Sequence, residues 1–108
     1  MLRELREATS ARAIEWETVQ TDASFRGNEL AGETGEVCNE IKKLERGRMG
    51  LVGGKTDQTG LKEELGDVII CVELIAQHYG IDLEEAIREK FNKTSKKYGL
   101  KTMMEQTD

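Results

Sequence analysis

The chain has 108 residues, 37% of them hydrophobic and 34% charged, with a formal net charge of −5. That length predicts one soluble domain, large enough for a real but not a generous core. The acidic balance argues against broad binding to nucleic acid or an anionic membrane, although a metal can still bring a phosphate ligand to such a surface.

The first segment, Met1-Leu2-Arg3-Glu4-Leu5-Arg6-Glu7, is too charged for a signal peptide. No apolar run approaches the roughly 20 residues of a membrane span, so the expected compartment is the cytoplasm. There are no prolines, and glycine does the punctuation instead. The pattern predicts four helices and no internal repeat. The first covers about 2–23, with Ile14, Trp16 and Val19 as its larger apolar residues. The second runs from about Gly27 to Arg46. A glycine-rich interval, 47–58, follows as a flexible loop or short hairpin. The third helix covers about 59–79 and stops at Gly80. The fourth starts behind Asp82 as N-cap, with Glu84 and Glu85 in its first turn, and ends near Tyr98-Gly99. The tail, 100–108, is expected to fray. Cys38 and Cys71 both sit in helical patterns and read as small buried hydrophobes in a reducing compartment, not as a disulfide.

The chemistry lies in the acids of the second and third helices. Glu33-Thr34-Gly35-Glu36 and Glu64-Leu65-Gly66-Asp67 each place two carboxylates three residues apart, on one helical face. At 100° per residue, Glu29, Glu33, Glu36 and Glu40 fall within an arc of roughly 60°. A solvated acidic edge, balanced by Lys42 and Lys43, is the plain alternative for that stripe. The third helix weighs against it. Glu64 and Asp67 share a face with Val68, Cys71, Leu74 and Ile75, and Ile69, Ile70 and Val72 cover much of the remainder. A carboxylate among such neighbours needs a proton, a basic partner or a metal. Lys90, Lys93, Lys96 and Lys97 on the fourth helix are the available bases. A hard divalent cation such as Mg²⁺ takes oxygen ligands of this kind. Glu63 and Glu73 project elsewhere and read as surface charges.

These residues resemble a known family. Leu30-Ala31-Gly32-Glu33-Thr34-Gly35-Glu36-Val37, then Ile41-Lys42-Lys43-Leu44, then Glu63-Glu64-Leu65-Gly66-Asp67-Val68 is similar to the MazG-like nucleoside triphosphate pyrophosphohydrolases of the all-α NTP pyrophosphatase group. Their signature is E-x-x-E, a spacer, then E-x-x-D. The segment from Gly80 to Lys90 looks like the family's fourth helix, and the resemblance covers about 15–98. It implies an all-α, four-helix bundle-like protomer that assembles as a homodimer or homotetramer. It further implies hydrolysis of a nucleoside triphosphate to the monophosphate and pyrophosphate with Mg²⁺, for which Mn²⁺ substitutes, in control or sanitation of the nucleotide pool. By the family's motif Glu33, Glu36, Glu64 and Asp67 hold the metal, and Glu33 or Glu36 holds or deprotonates the attacking water. Glu40 extends the same stripe. Basic residues of the fourth helix, Lys90 and Lys93 among them, are candidates for phosphate contacts; relatives often carry Lys-Asn followed four residues later by Tyr, a pattern that Lys93 and Tyr98 match with Thr94 in place of the asparagine. Trp16 resembles the first-helix aromatic that lies near the base.

Other signals are discounted. Gly53-Gly54-Lys55-Thr56 echoes the end of a P-loop, but Met49 occupies the place of the required first glycine and no strand precedes it; a flexible loop is the expected reading, with Lys55 in reach of a bound triphosphate. His78 has no Glu-x-x-His partner acid, since Ile75 stands there, which disfavours a di-iron site. A non-catalytic helical module, whose acids bind structural metal or a partner's basic surface, is the alternative from another class. No nucleic acid and no membrane are expected among the partners.

Overall fold

The computed structural model describes residues 1–16 and 22–105. Among them the chain forms four α-helices and no strand: α1 (Leu2–Glu15), α2 (Ala23–Arg48), α3 (Thr59–His78) and α4 (Leu83–Lys97). The all-α expectation therefore holds. None of these helices is long and apolar enough to cross a membrane.

The helix ends follow local chemistry. α1 stops at Glu15, short of the expected boundary, and Val19 lies outside the described residues. α2 starts earlier than expected because Asp22 is its N-cap: Phe25 N donates to Asp22 Oδ1 at 2.9 Å, satisfying one of the helix's unpaired amides. Asp57 does the same work ahead of α3, accepting from Thr59 N at 3.1 Å and Thr59 Oγ1 at 2.8 Å. Between α3 and α4 the chain turns at Gly80 with φ 67°, a value glycine adopts without strain. Asp82 then caps α4, accepting from Glu85 N at 3.2 Å. Acids in its first turn and Lys96 and Lys97 in its last complement the helix dipole.

α2 and α3 form the principal pair, and α1 packs along α3. The α2–α3 pair is antiparallel, because each step along α2 matches a reverse step along α3. Glu40 lies against Gly60, Glu33 against Glu64 and Asp67, and Glu29 near Cys71. α1 is held to α3 largely by polar groups. Arg6 Nε donates to Glu73 Oε1, the Gln77 amide nitrogen donates to Thr9 Oγ1, and Ser10 Oγ donates to Gln77 Oε1 at 3.0 Å. Arg6 also reaches the α3–α4 turn, donating to the Ile81 carbonyl at 2.5 Å. Glu73, expected on the surface, is 1% exposed. Its burial is tolerable because Arg6 from α1 closes over it.

The apolar core is small. Among the described residues only Cys71 and Ala76 are fully buried apolar side chains. Cys71 matches its expectation, whereas Cys38 is exposed; both thiols are free. α3 is not covered all round either, since Leu65 and Ile69 are each 50% exposed. α4 stands largely clear of the other helices, with Ile87 and Phe91 exposed. The radius of gyration is 17.3 Å, against about 13 Å for a compact domain of this length.

The glycine-rich interval folds back on the end of α2. Leu51 N donates to Arg46 O at 2.8 Å, Gly54 N to Leu51 O at 3.2 Å and Lys55 N to Lys43 O at 3.1 Å. The backbones of 47 and 54–55 cross so closely that a Cβ on Gly47 would overlap the Lys55 carbonyl, and one on Gly54 would overlap the backbone at Gly47. After α4 the chain is exposed through Glu105 but tethered: Asn92 exchanges two hydrogen bonds with the Met104 backbone, at 2.7 and 3.0 Å.

The crossing separates two classes of glycine. Gly47→Ala forces backbone apart and is expected to cost about 1–3 kcal/mol or more, as overpacking does. Gly32→Ala, in mid-helix with nothing within 4 Å of a new Cβ, is expected to stabilise by about 0.5–1 kcal/mol. Chemical denaturation of the two variants beside the parent measures both.

Candidate functional site

The antiparallel register decides which carboxylates meet. Glu33 on α2 and Glu64 and Asp67 on α3 each offer a ligand atom, and these atoms all lie within 4.8 Å of one another. Glu64 and Asp67 sit three residues apart on α3, so both reach back towards the same turn of α2. Glu36, one position round the α2 face, adds its charge to the field at Glu64 but stands outside the tight group and is exposed. Asp67 is exposed too, and not buried in an apolar face as the helical wheel suggested, because a cavity opens beside it.

The electrostatics show that the cluster is short of positive charge. Glu64 Oε2 is buried and accepts no hydrogen bond. Its carboxyl is pushed up to about 7, foremost by the hydrogen bond it shares with Glu33, then by burial, then by the charges of Glu33, Asp67 and Glu36. Two carboxylates in contact need a proton or a cation between them. A set of oxygen donors, one of them orphaned, fits a hard divalent ion such as Mg²⁺.

Beside the cluster lies a cavity of about 240 Å³. Glu33, Asp67, Ile70 and Cys71 form its floor, and Trp16, Arg12 and Arg26 are among its walls. Trp16 is 65% exposed, with the Arg12 guanidinium 4.8 Å from its ring centroid. Arg26 is buried, pairs with Glu29 at 2.9 Å and stands 5.7 Å from the Phe25 ring. The Cys71 thiol is raised by burial, then by Glu29, Glu33 and Asp67, which keeps it protonated beside the acids.

The structure places Trp16 in the wall of the cavity that Glu33 and Asp67 also line. It also adds Arg12 and Arg26, which the sequence reading did not single out. Both carried a signal. Arg12 is four residues from Trp16, and Arg26 is seven from Glu33, on the same helical face. A helix start at Gly27 left Arg26 outside the wheel.

Glu40 continues the acidic row away from this cavity. It is buried, paired with Lys55, with Lys43 Nζ 3.7 Å away, and its carboxyl is held below the usual range chiefly by Lys55. A Cβ on Gly60 would stand 2.7 Å from Glu40 Oε2, so the glycine makes room for that carboxylate. Lys90, Lys93 and Tyr98 are all on or at the end of α4 and exposed. None of them lines the cavity at Glu33 and Asp67; Lys90 borders an apolar groove with Leu83, Ile87 and Phe91, and Lys93 a separate shallow surface.

Among the described residues the chain is all-helical, and its two antiparallel helices gather carboxylates beside an aromatic-walled cavity. Comparison with known proteins names the family. Residues 20–99 match the MazG nucleotide pyrophosphohydrolase domain, and the chain belongs to that family. Over 64 residues it is 33% identical to the gene 37 protein of Mycobacterium phage L5, a match covering 59% of this chain and 55% of that protein. The chain therefore matches about half the length of this relative. No solved structure matches.

The raised carboxyl of Glu64 sets a pH dependence. With a folded-state value of about 7 against an ordinary 4.5, its contribution to stability is fully present below the ordinary value and is lost as pH rises through about 7. A divalent ion needs the ionised form. The rise in melting temperature on adding Mg²⁺ is therefore expected to be larger at about pH 8 than at about pH 6, and absent in Glu64→Gln. Thermal melts at the two pH values, with and without Mg²⁺, check this; equal shifts at both would contradict it.

Proposed function

We propose that this protein is a Mg²⁺-dependent nucleoside triphosphate pyrophosphohydrolase acting in control or sanitation of the nucleotide pool. The observation that carries the reading is the convergence of Glu33, Glu64 and Asp67 within 4.8 Å, beside the cavity walled by Trp16. The family match over residues 20–99 supports it.

On this reading Glu33, Glu64 and Asp67 hold the ion, with Glu36 at the margin of the set. When bound, Mg²⁺ neutralises the triphosphate and makes a coordinated water more acidic. Glu36, exposed and outside the tight group, orients the attacking water and takes its proton, while Glu33 faces both the ion and the cavity. The water oxygen bonds to the α-phosphorus, the bond from that phosphorus to its bridging oxygen breaks, and pyrophosphate leaves. Trp16 offers a face on which a base stacks, and Arg12 and Arg26 supply positive charge beside it.

The working unit is proposed to be a homodimer or homotetramer. Half-exposed Leu65 and Ile69, the apolar groove on α4 and the open shape of the protomer support this, because apolar surface of that extent is usually covered. Lys90, Lys93 and Tyr98 stand apart from the acids of their own chain, and on this reading they meet the substrate from a second copy.

A panel of nucleoside and deoxynucleoside triphosphates with Mg²⁺, assayed for monophosphate and pyrophosphate, tests the activity. Cleavage of at least one is expected. Glu36→Gln and Asp67→Asn are each expected to abolish turnover while the helical circular dichroism stays unchanged; full activity in either removes that residue from its role. If no nucleotide is cleaved and calorimetry shows no triphosphate binding, the chain is a non-catalytic metal-binding helical module instead. Light scattering is expected to give a mass at least twice the 12.2 kDa of one chain.

A further inference from the structure

The site described above leaves Lys55 without a task. The glycine-rich interval nonetheless places it with care. The close crossing of Gly47 and Gly54–Lys55 admits no side chain at either glycine, and Lys55 N is fixed on the Lys43 carbonyl at 3.1 Å. The loop therefore runs past the end of α2 and returns, delivering one ammonium to the level of Glu40.

Glu40 lies one turn beyond Glu36 on the same acidic face, about 10 Å along α2 from Glu33. The other end of the row carries Arg26, and next to it the Trp16 ring from α1. The acidic row of α2 thus has a polarity. An aromatic face and guanidinium groups stand at one end, the carboxylate cluster lies in the middle, and a lysine stands at the other end. A nucleoside triphosphate has the matching order: a flat base, a sugar, then phosphates whose charge accumulates at the far terminus.

Glu40 does not depend on Lys55 alone, since Lys43 Nζ is 3.7 Å from its other oxygen. The Lys55 side chain is still 33% exposed, and a lysine head on its flexible stem can change partner without moving the backbone. We propose that Lys55 binds the terminal phosphates of a nucleoside triphosphate whose base lies at Trp16, leaving Glu40 to Lys43 when the substrate is bound. This rests on the triphosphate reading above and extends it. It fixes the direction of the substrate along the acidic row and assigns a residue that senses the leaving pyrophosphate. A nucleoside monophosphate bound at Trp16 would be too short to meet it.

The test compares parent, Lys55→Ala, Lys55→Gln and Lys55→Arg in steady-state hydrolysis of one cleaved triphosphate at saturating Mg²⁺. Inorganic pyrophosphate and the matching monophosphate serve as competitive inhibitors. In Lys55→Ala and Lys55→Gln the KM for triphosphate and the inhibition constant for pyrophosphate are expected to rise about tenfold or more, as for loss of a charged hydrogen bond. The inhibition constant for the monophosphate is expected to stay within about twofold, and Lys55→Arg to restore most of the loss. Unchanged pyrophosphate inhibition in both neutral variants overturns the proposal. So does equal weakening of pyrophosphate and monophosphate, which marks Lys55 as a latch for the loop and nothing more. If Lys55→Ala melts below assay temperature, the comparison rests on Lys55→Gln and Lys55→Arg. A parent that cleaves no nucleotide refutes the triphosphate reading itself, and this assignment with it; a cleaving parent with unaltered variants refutes only the assignment.

Discussion

Everything in this structure is arranged around repulsion between like charges. The antiparallel seam of α2 and α3 puts Glu33, Glu64 and Asp67 within 4.8 Å of one another, with Glu36 close enough to be felt. No folded arrangement of bare carboxylates gains from that proximity. The register persists although few apolar side chains are buried beside the acids, and a cation in the cluster would lift the cost. On the metal-binding reading the fold and the ion are thermodynamically linked: whatever binds the folded cluster and not the unfolded chain stabilises the fold. A cluster of this sort is also pre-organised, since the helices fix the donors before any ligand arrives.

The same seam governs the rest. Because α2 and α3 spend their facing positions on acids, glycine and a cysteine, little is left for an apolar core, and among the described residues Cys71 and Ala76 are the only buried apolar side chains. The protomer meets the shortage with polar pairing inside, as at Arg6–Glu73 and Thr9–Gln77, and with apolar residues kept on the outside of α3 and α4. A chain of this length usually reaches stability by a larger core or by association.

How much was legible follows from what each signal depends on. Helical periodicity is local, so the acid pairs at Glu33/Glu36 and Glu64/Asp67 could be read without coordinates, as could the Gly80 stop and the Asp82 cap. That three of those four acids form the tight group, with Glu36 beside it, depends on the register between helices, which no single helix encodes. Glu73 shows the limit most clearly. On its own helix it is one more acid, and only the arrival of Arg6 from α1 turns it into the most buried charge among the described residues. Arg26 was hidden for a smaller reason. Its helix begins at Asp22, and a start set a few residues later hides the alignment of Arg26 with the acids. Cys38 failed because a helical position says nothing about which neighbour covers it.

The polar character of the α1–α3 contact has its own consequence. One wall of the cavity, bearing Arg12 and Trp16, is joined to the rest by hydrogen bonds and an ion pair, while the opposite wall and floor belong to the main helix pair. Polar contacts that water can replace give way at lower free energy than buried apolar ones. α1 is therefore joined to α3 less firmly than α2 is, and one side of the cavity is held by separable contacts. A ligand that displaces this side need not disturb the helix pair that gathers the carboxylates.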